Sequence, residues 1–219
     1  MGKGKAIIAT ASFVIGGLLL GACSPSQETP GDTTDTGNPS ALTVAWNQGF
    51  DSLNHQTEVG NAVANSNIVY MVMDTFAAYD KELNMTPYPD YGTVEQISED
   101  PLTLRFTLSD KAMWSDGTPV TAIDTVLAWA AQSNRFNTIT EPKKDNDDKV
   151  VTQDAGVVYF SAAGTTGFEL IEEFEVSDDL KSVTFTFGKP YIDWFEISPD
   201  FGRGLPAHIV AKRALGITD

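Results

Sequence analysis

The side chains best suited to chemistry fall into three sets. Cys23 is the only thiol in the 219 residues. Between Trp46 and Asn67 stands a group of aromatic and amide side chains: Trp46, Asn47, Phe50, Asn54, Asn65 and Asn67. Amides can hydrogen-bond a peptide backbone and aromatic rings can pack on it, so these six are candidate ligand contacts. Asn also favours turns, and a purely conformational role for Asn54, Asn65 and Asn67 stands beside the first. The third set is His55 and His208, the only histidines; with no matching acids close in sequence they outline no metal site. Asp145-Asn146-Asp147-Asp148 has the look of a calcium loop, but no Gly stands sixth and no Glu twelfth. A solvated acidic loop is the expectation. No cofactor is implied.

Several chemistries lack their motif. There is no GxxxxGK phosphate loop, so no nucleotide hydrolysis is expected of this chain. A serine hydrolase of the elbow type would need G-x-S-x-G, which does not occur. Trp114 and Asp116 in WSDG are read as a structural turn, and Trp194 as a core residue.

The chain opens with Lys3 and Lys5, followed by an uncharged run from Ala6 to Gly21. A short basic start before such a run is the pattern of an export signal, and 16 residues fall short of the roughly 20 that span a bilayer. The run ends in Leu20-Gly21-Ala22-Cys23, which resembles the bacterial lipobox. That resemblance implies a diacylglyceryl group on Cys23, and two acyl chains anchor stably where one does not. Residues 24–40 contain no aliphatic, aromatic or basic side chain. They cannot bury enough apolar surface to order themselves, and as a flexible coil would reach roughly 20–25 Å. The expected organisation is a lipoprotein signal over 1–22, a disordered stalk over 23–40 and a folded part over 41–219.

Without Lys3 and Lys5 the charge is 12 cations against 30 carboxylates, a net of −18. Nucleic acid is therefore not an expected partner. With no second cysteine there can be no internal disulfide, and the folded part depends on its core.

The elements that must position the candidate residues are legible by period. Leu42–Asn47 alternates like a half-buried strand, and Trp46, Asn47 and Phe50 would then lie beyond its end, where ligands of α/β folds gather. Ile68–Tyr79 reads as a helix, with Ile68, Val72, Thr75, Phe76 and Tyr79 on one face. Leu83–Tyr91 reads as an exposed connection. Leu102, Leu104, Phe106 and Leu108 alternate with polar residues; with Thr93–Ile97 they predict a β-hairpin. A second hairpin is predicted from Phe174–Val176 and Val183–Phe187. Thr121 and Asp124 fit a capping box, opening a helix with Ile123, Val126, Leu127 and Ala130 as its buried stripe. The spacing predicts a last short helix from Pro206 to about Leu215, with Pro in its first turn and Gly216 beyond its end.

The segment FTLSDKAMWSDGTPVTAIDTVLAW, residues 106–129, closely resembles the signature of family 5 extracellular solute-binding proteins, the oligopeptide- and dipeptide-binding proteins of bacterial ABC importers. LTVAWN, VYMVMDTFAAYDKELNMTP, SEDPLTLRFTL, SDDLKSVTFTFGKPYIDWF and LPAHIV follow in the family's order. The resemblance covers roughly residues 42–219. It implies an α/β fold with an α+β-like small subdomain, the first lobe of a type II periplasmic-binding-protein-like architecture. Family members run to several hundred residues in two lobes, so the resemblance implies an N-terminal fragment that lacks the second lobe. It further implies a monomeric, extracytoplasmic, lipid-anchored binder of peptides or similar small solutes, served by separate permease and ATPase subunits, and no enzyme. The alternatives are a surface lipoprotein acting only as an interaction module, or an exported hydrolase.

Overall fold

The computed structural model describes residues 44–139, 143–148, 158–203 and 205–214. The signal, Cys23 and the stalk lie outside the described residues.

Two hairpins make the central sheet. β3 (Gly92–Glu99) pairs with β4 (Leu102–Leu108), and β5 (Ile171–Val176) with β6 (Ser182–Phe187), all antiparallel. The hairpins join through β4 and β6, giving the order β3-β4-β6-β5. Register follows from the two-residue period, because a slip by one would turn every apolar side chain outward. Leu104 stands opposite Phe185 and Phe106 opposite Val183, all four buried. Thr103, Thr184 and Thr186 occupy the other face, with Arg105 Nε donating to Thr184 Oγ1 at 3.4 Å. β5 is an edge, and Glu172, Glu173 and Glu175 lie exposed along it. Charge on an unpaired edge opposes pairing with another chain.

The covering layer comes from α2 (Ala122–Gln132) and the short α3 (Ser198–Gly202). Phe201 of α3 packs at a tilt against three rings: Phe106 at 4.5 Å, Phe168 at 4.8 Å and Phe185 at 5.2 Å between centroids. Phe76 meets Phe106 edge to face at 5.1 Å. Such pairs add about 0.5–1.5 kcal/mol each beyond the area they bury. Gly202 closes α3 against Thr75, where a Cβ would come within 2.7 Å of the Thr75 Cα, so only glycine permits this approach.

Three expectations are corrected. Val44–Asn47 forms no strand, and every residue of it is exposed. Its alternation has no ladder partner among the described residues, and a strand without a neighbour leaves its amides to water. The expected helix over Ile68–Tyr79 is instead α1 (Val63–Val72), β1 (Ala77–Tyr79) and the turn between them. β1 pairs with β2 (Met85–Pro87), so the expected exposed connection contains a strand. Hairpin pairing takes the amides that a longer helix would have used, and it delivers Phe76 into the core while Val72 stays exposed.

The third correction concerns α2. Of the expected stripe Leu127 is buried and Val126 and Ala130 pack partly buried against the core, but Ile123 is 41% exposed, and the fully buried face is Ala122, Asp124, Thr125, Leu127, Ala128, Trp129 and Gln132. Asp124, 4% exposed, accepts from the Thr121 amide at 2.7 Å and the Thr121 hydroxyl at 3.2 Å. Its other oxygen accepts from the Ala207 amide at 2.7 Å. Ala207 begins α4 (Ala207–Ala214), so one carboxylate holds the first turns of two helices. The helix turns to keep Asp124 inside, and Ile123 is carried out.

The substitution Asp124→Ala removes one helix cap and leaves the buried Ala207 amide without an acceptor. It should lower unfolding free energy by about 2–4 kcal/mol, measured by urea denaturation. An Ile123→Ala variant should cost less than about 1 kcal/mol in the same assay.

Candidate functional site

A cavity of about 320 Å³ opens between the loop before α1, the end of α2, the stretch 163–168 and α3. His55, Gln56, Asn61, Gln132, Thr166 and Asp200 supply its polar lining, and Phe168 and Ile197 its apolar part. A concave apolar base with a few converging polar groups is the usual form of a small-molecule site.

Asn65 shapes the first wall. It is 0% exposed, and its Oδ1 accepts from the Asp51 amide at 3.0 Å and the Ser52 amide at 3.3 Å. Its Nδ2 donates to Asp51 Oδ1 at 2.6 Å and to the Gly60 carbonyl at 2.9 Å. All of its amide hydrogen-bonding positions are used inside the fold. The loop so formed is stitched to 161–163 by the Glu58 amide to the Ser161 carbonyl, 3.0 Å, and the Ala163 amide to the Gln56 carbonyl, 2.8 Å. Gln56 Nε2 donates to the Asp200 carbonyl at 3.1 Å, tying the loop to α3.

The electrostatics of the cavity are unusual for so acidic a chain. Burial pushes the Asp200 carboxyl up from its ordinary value, opposed by Arg203, whose Nη1 stands 4.0 Å from Asp200 Oδ1. Burial and the Arg203 charge hold the His55 imidazole below its ordinary value, which keeps it neutral at pH 7. Arg203 is itself buried, with its guanidinium carbon 4.0 Å over the Tyr70 ring. Gln132 is 6% exposed and its Nε2 has no hydrogen-bond partner among the described residues, as is true of Arg203 Nε. A buried donor left without an acceptor costs about 1–3 kcal/mol. Perturbed acids and bases beside unpaired donors in one cleft mark a functional site.

The sequence candidates fall on and around this wall. Trp46, 56% exposed, together with Asn47, Phe50 and Asn67, stands in solvent. Asn54 is half-buried, and its carbonyl accepts from Thr57 Oγ1 at 3.1 Å. It lines a smaller cavity of about 40 Å³ with Gln56 and Gln132. None of the six lines the larger cavity, which takes the adjoining His55, Gln56 and Asn61. Gln132 and Asp200 come from distant segments, and no local motif marks either. Trp194 is half-buried and packs against the core.

A second polar pair joins two stretches read separately. His208 Nε2 lies 2.8 Å from Asp116 Oδ2, linking the WSDG turn to α4. Asp116 also accepts from the Thr118 amide at 2.9 Å, in a turn where Gly117 takes φ +85°. The Thr118 bond first, and then His208, hold the Asp116 carboxyl down at about 2. Among Asp145–Asp148, the Asp147 amide donates to Asp145 Oδ1 at 2.9 Å and Asp148 pairs with Lys144 at 3.4 Å.

The fold is a mixed helix-and-sheet domain, and its cavity is lined by both polar and apolar side chains. The model of bacterial extracellular solute-binding proteins, family 5 Middle, matches residues 86–214, and the chain belongs to this family. An uncharacterised lipoprotein of Mycobacterium tuberculosis is 40% identical over 83 residues, 38% of this chain and 15% of that protein. The oligopeptide-binding protein OppA of the same species is 25% identical over 121 residues, 55% of this chain and 17% of that one. The chain thus spans well under a quarter of the length of the curated relatives it matches. Among solved structures, the periplasmic EDTA-binding protein EppA superposes with a TM-score of 0.58 at 23% identity, over 74% of this chain and 27% of that one. Haemophilus influenzae OppA in complex with the peptide RPPGFSPFR gives 0.50 at 19%, over 69% and 28%. These likenesses are of fold: mixed helix and sheet, as in type II periplasmic binding proteins.

Because the folded pKa of Asp116 lies below its ordinary value, its contribution to stability is whole above about pH 4 and is lost as pH falls through about 2. Urea unfolding at pH 5 and at pH 2 should therefore show a smaller acid loss of stability in Asp116→Asn than in the parent. An equal loss in both would mean that the turn does not hold this carboxylate ionised.

Proposed function

We propose that this chain is the solute-capturing part of an extracytoplasmic lipoprotein that hands peptides or similar small solutes to an ABC importer. Residues 1–22 are the export signal, Cys23 carries the lipid, residues 24–40 form the stalk, and the folded part contributes one wall of the binding cleft. The permease and the ATPase are separate partners, and the chain works as a monomer. The observation that carries this reading is the family match over 86–214. The oligopeptide-binding name of one relative and the peptide in one structural neighbour support the ligand class.

Within the cleft, Gln132 and Asn61 offer amide donors to ligand carbonyls, and Asp200 with neutral His55 completes the polar set. Exposed Trp46, Asn47 and Phe50, with Asn54 and Asn67 nearby, form the outer approach. Asn65 acts through the shape of the loop.

The test is thermal unfolding of the lipoprotein against a panel of di- to pentapeptides. A ligand at 100 times its Kd should raise stability by about 2.7 kcal/mol. Gln132→Leu should weaken binding about tenfold while changing the ligand-free stability by less than about 1 kcal/mol, because the amide it removes donates to nothing in the fold. No stabilisation by any peptide, or unchanged affinity in Gln132→Leu, would remove the cleft reading.

A further inference from the structure

A second cavity, of about 270 Å³, shares no lining residue with the first. It lies where the end of α1 meets the start of β3 and the WSDG turn. Tyr91 and Val120, both buried, line its interior, and Met73, Met113 and Trp114 line it as well. Asp74 contributes the charge. It is exposed and has no salt-bridge partner among the described residues.

Three observations define what this cavity suits. Trp114 is fixed by its backbone: its amide donates to the Thr118 carbonyl at 2.8 Å and its carbonyl accepts from the Gly117 amide at 2.9 Å. Its side chain half-faces the interior, and the buried Nε1–H has no acceptor among the described residues. Trp129 differs, since its Nε1 donates to the Phe168 carbonyl at 3.1 Å. Buried donors without partners are few in native proteins, and each calls for a reason. Next, two thioethers and two aromatic rings line the space; sulfur against ring edges is favourable and adapts to an inserted ring. The volume exceeds the roughly 150 Å³ that takes a benzene and falls just under the roughly 300 Å³ where small-molecule pockets begin. Finally, among the described residues the one charged lining residue is a carboxylate, and no lysine or arginine lines the cavity. A cation is the complement of that rim.

We propose that this cavity is a binding site for a small aromatic amine: one ring against Met73, Met113 and Trp114, and a protonated amino group on a short arm at Asp74. The site is independent of the peptide cleft, and either can exist without the other.

The test uses the ¹⁵N-labelled protein titrated with phenethylammonium and followed by the four tryptophan indole N–H resonances. The Trp114 signal is assigned by its loss in Trp114→Phe. Expected are a saturable movement of the Trp114 signal while that of Trp129 stays in place, and at least tenfold weaker binding of phenylacetate. Asp74→Asn should lower affinity about two- to fivefold, the scale of an exposed ion pair. Val72→Trp, an exposed position at the cavity edge, should abolish the movement. The proposal is overturned if phenethylammonium at millimolar concentration leaves the parent Trp114 signal unmoved. It is equally overturned if phenylacetate binds as well, or if Asp74→Asn binds unchanged. Asp74 and Val72 lie at exposed positions, and the first of these readings needs no variant beyond the Trp114→Phe used for assignment.

Discussion

The Asp124 carboxylate is the constraint from which the covering layer takes its form. It is buried, yet three N–H and O–H donors converge on it: the Thr121 amide, the Thr121 hydroxyl and the Ala207 amide. A charge at that depth is tolerable only while it is fully hydrogen-bonded. Satisfying it fixes the rotation of α2, the entry of α4 and the distance between them. With α2 so turned, Trp129 reaches the Phe168 carbonyl at 3.1 Å and packs on Phe185 at 5.8 Å. Gln132, two turns beyond Asp124 on the same face, is brought to the cleft. A polar group placed for structure at one end of the helix thereby positions a polar group available for binding at the other.

The aromatic cluster performs the matching task for the sheet. Phe106 and Phe185 are neighbours across β4 and β6, and Phe201 lies against both. Holding Phe201 there fixes α3, whose Asp200 lines the cleft and whose C-cap residue Arg203 lies over Tyr70. The cleft is thus built on rigid elements along two sides, while its third side is a loop made rigid by Asn65. Loops carry binding residues most effectively when a scaffold restrains them.

The two hairpins and the α2 cap were legible because their signals are local. Strict alternation in LTLRFTL and SVTFTF leaves one arrangement that buries the leucines, valine and phenylalanines together. Thr121 and Asp124 stand three apart, the spacing a helix start requires. The segment from Ile68 to Tyr79 misled because apolar residues there fit a helical face as well as a strand, and short apolar runs do not separate the two. Pairing of β1 with β2 decided it. The Asn residues between 47 and 67 could be located as a polar loop, but sequence alone did not distinguish Asn65, which is consumed in holding the loop, from its neighbours.

The sequence by itself determined the family resemblance, the two hairpins and the local half of each motif, because these depend on residues close enough in the chain to meet before it folds. Tertiary structure decided which way α2 faces, that Asp116 reaches His208 across 92 residues, and that His55, Gln132 and Asp200 share a cleft. Those outcomes rest on hydrogen bonds between segments far apart in sequence. A long-range bond forms where the core brings its donor and acceptor together, and no spacing along the chain records that distance.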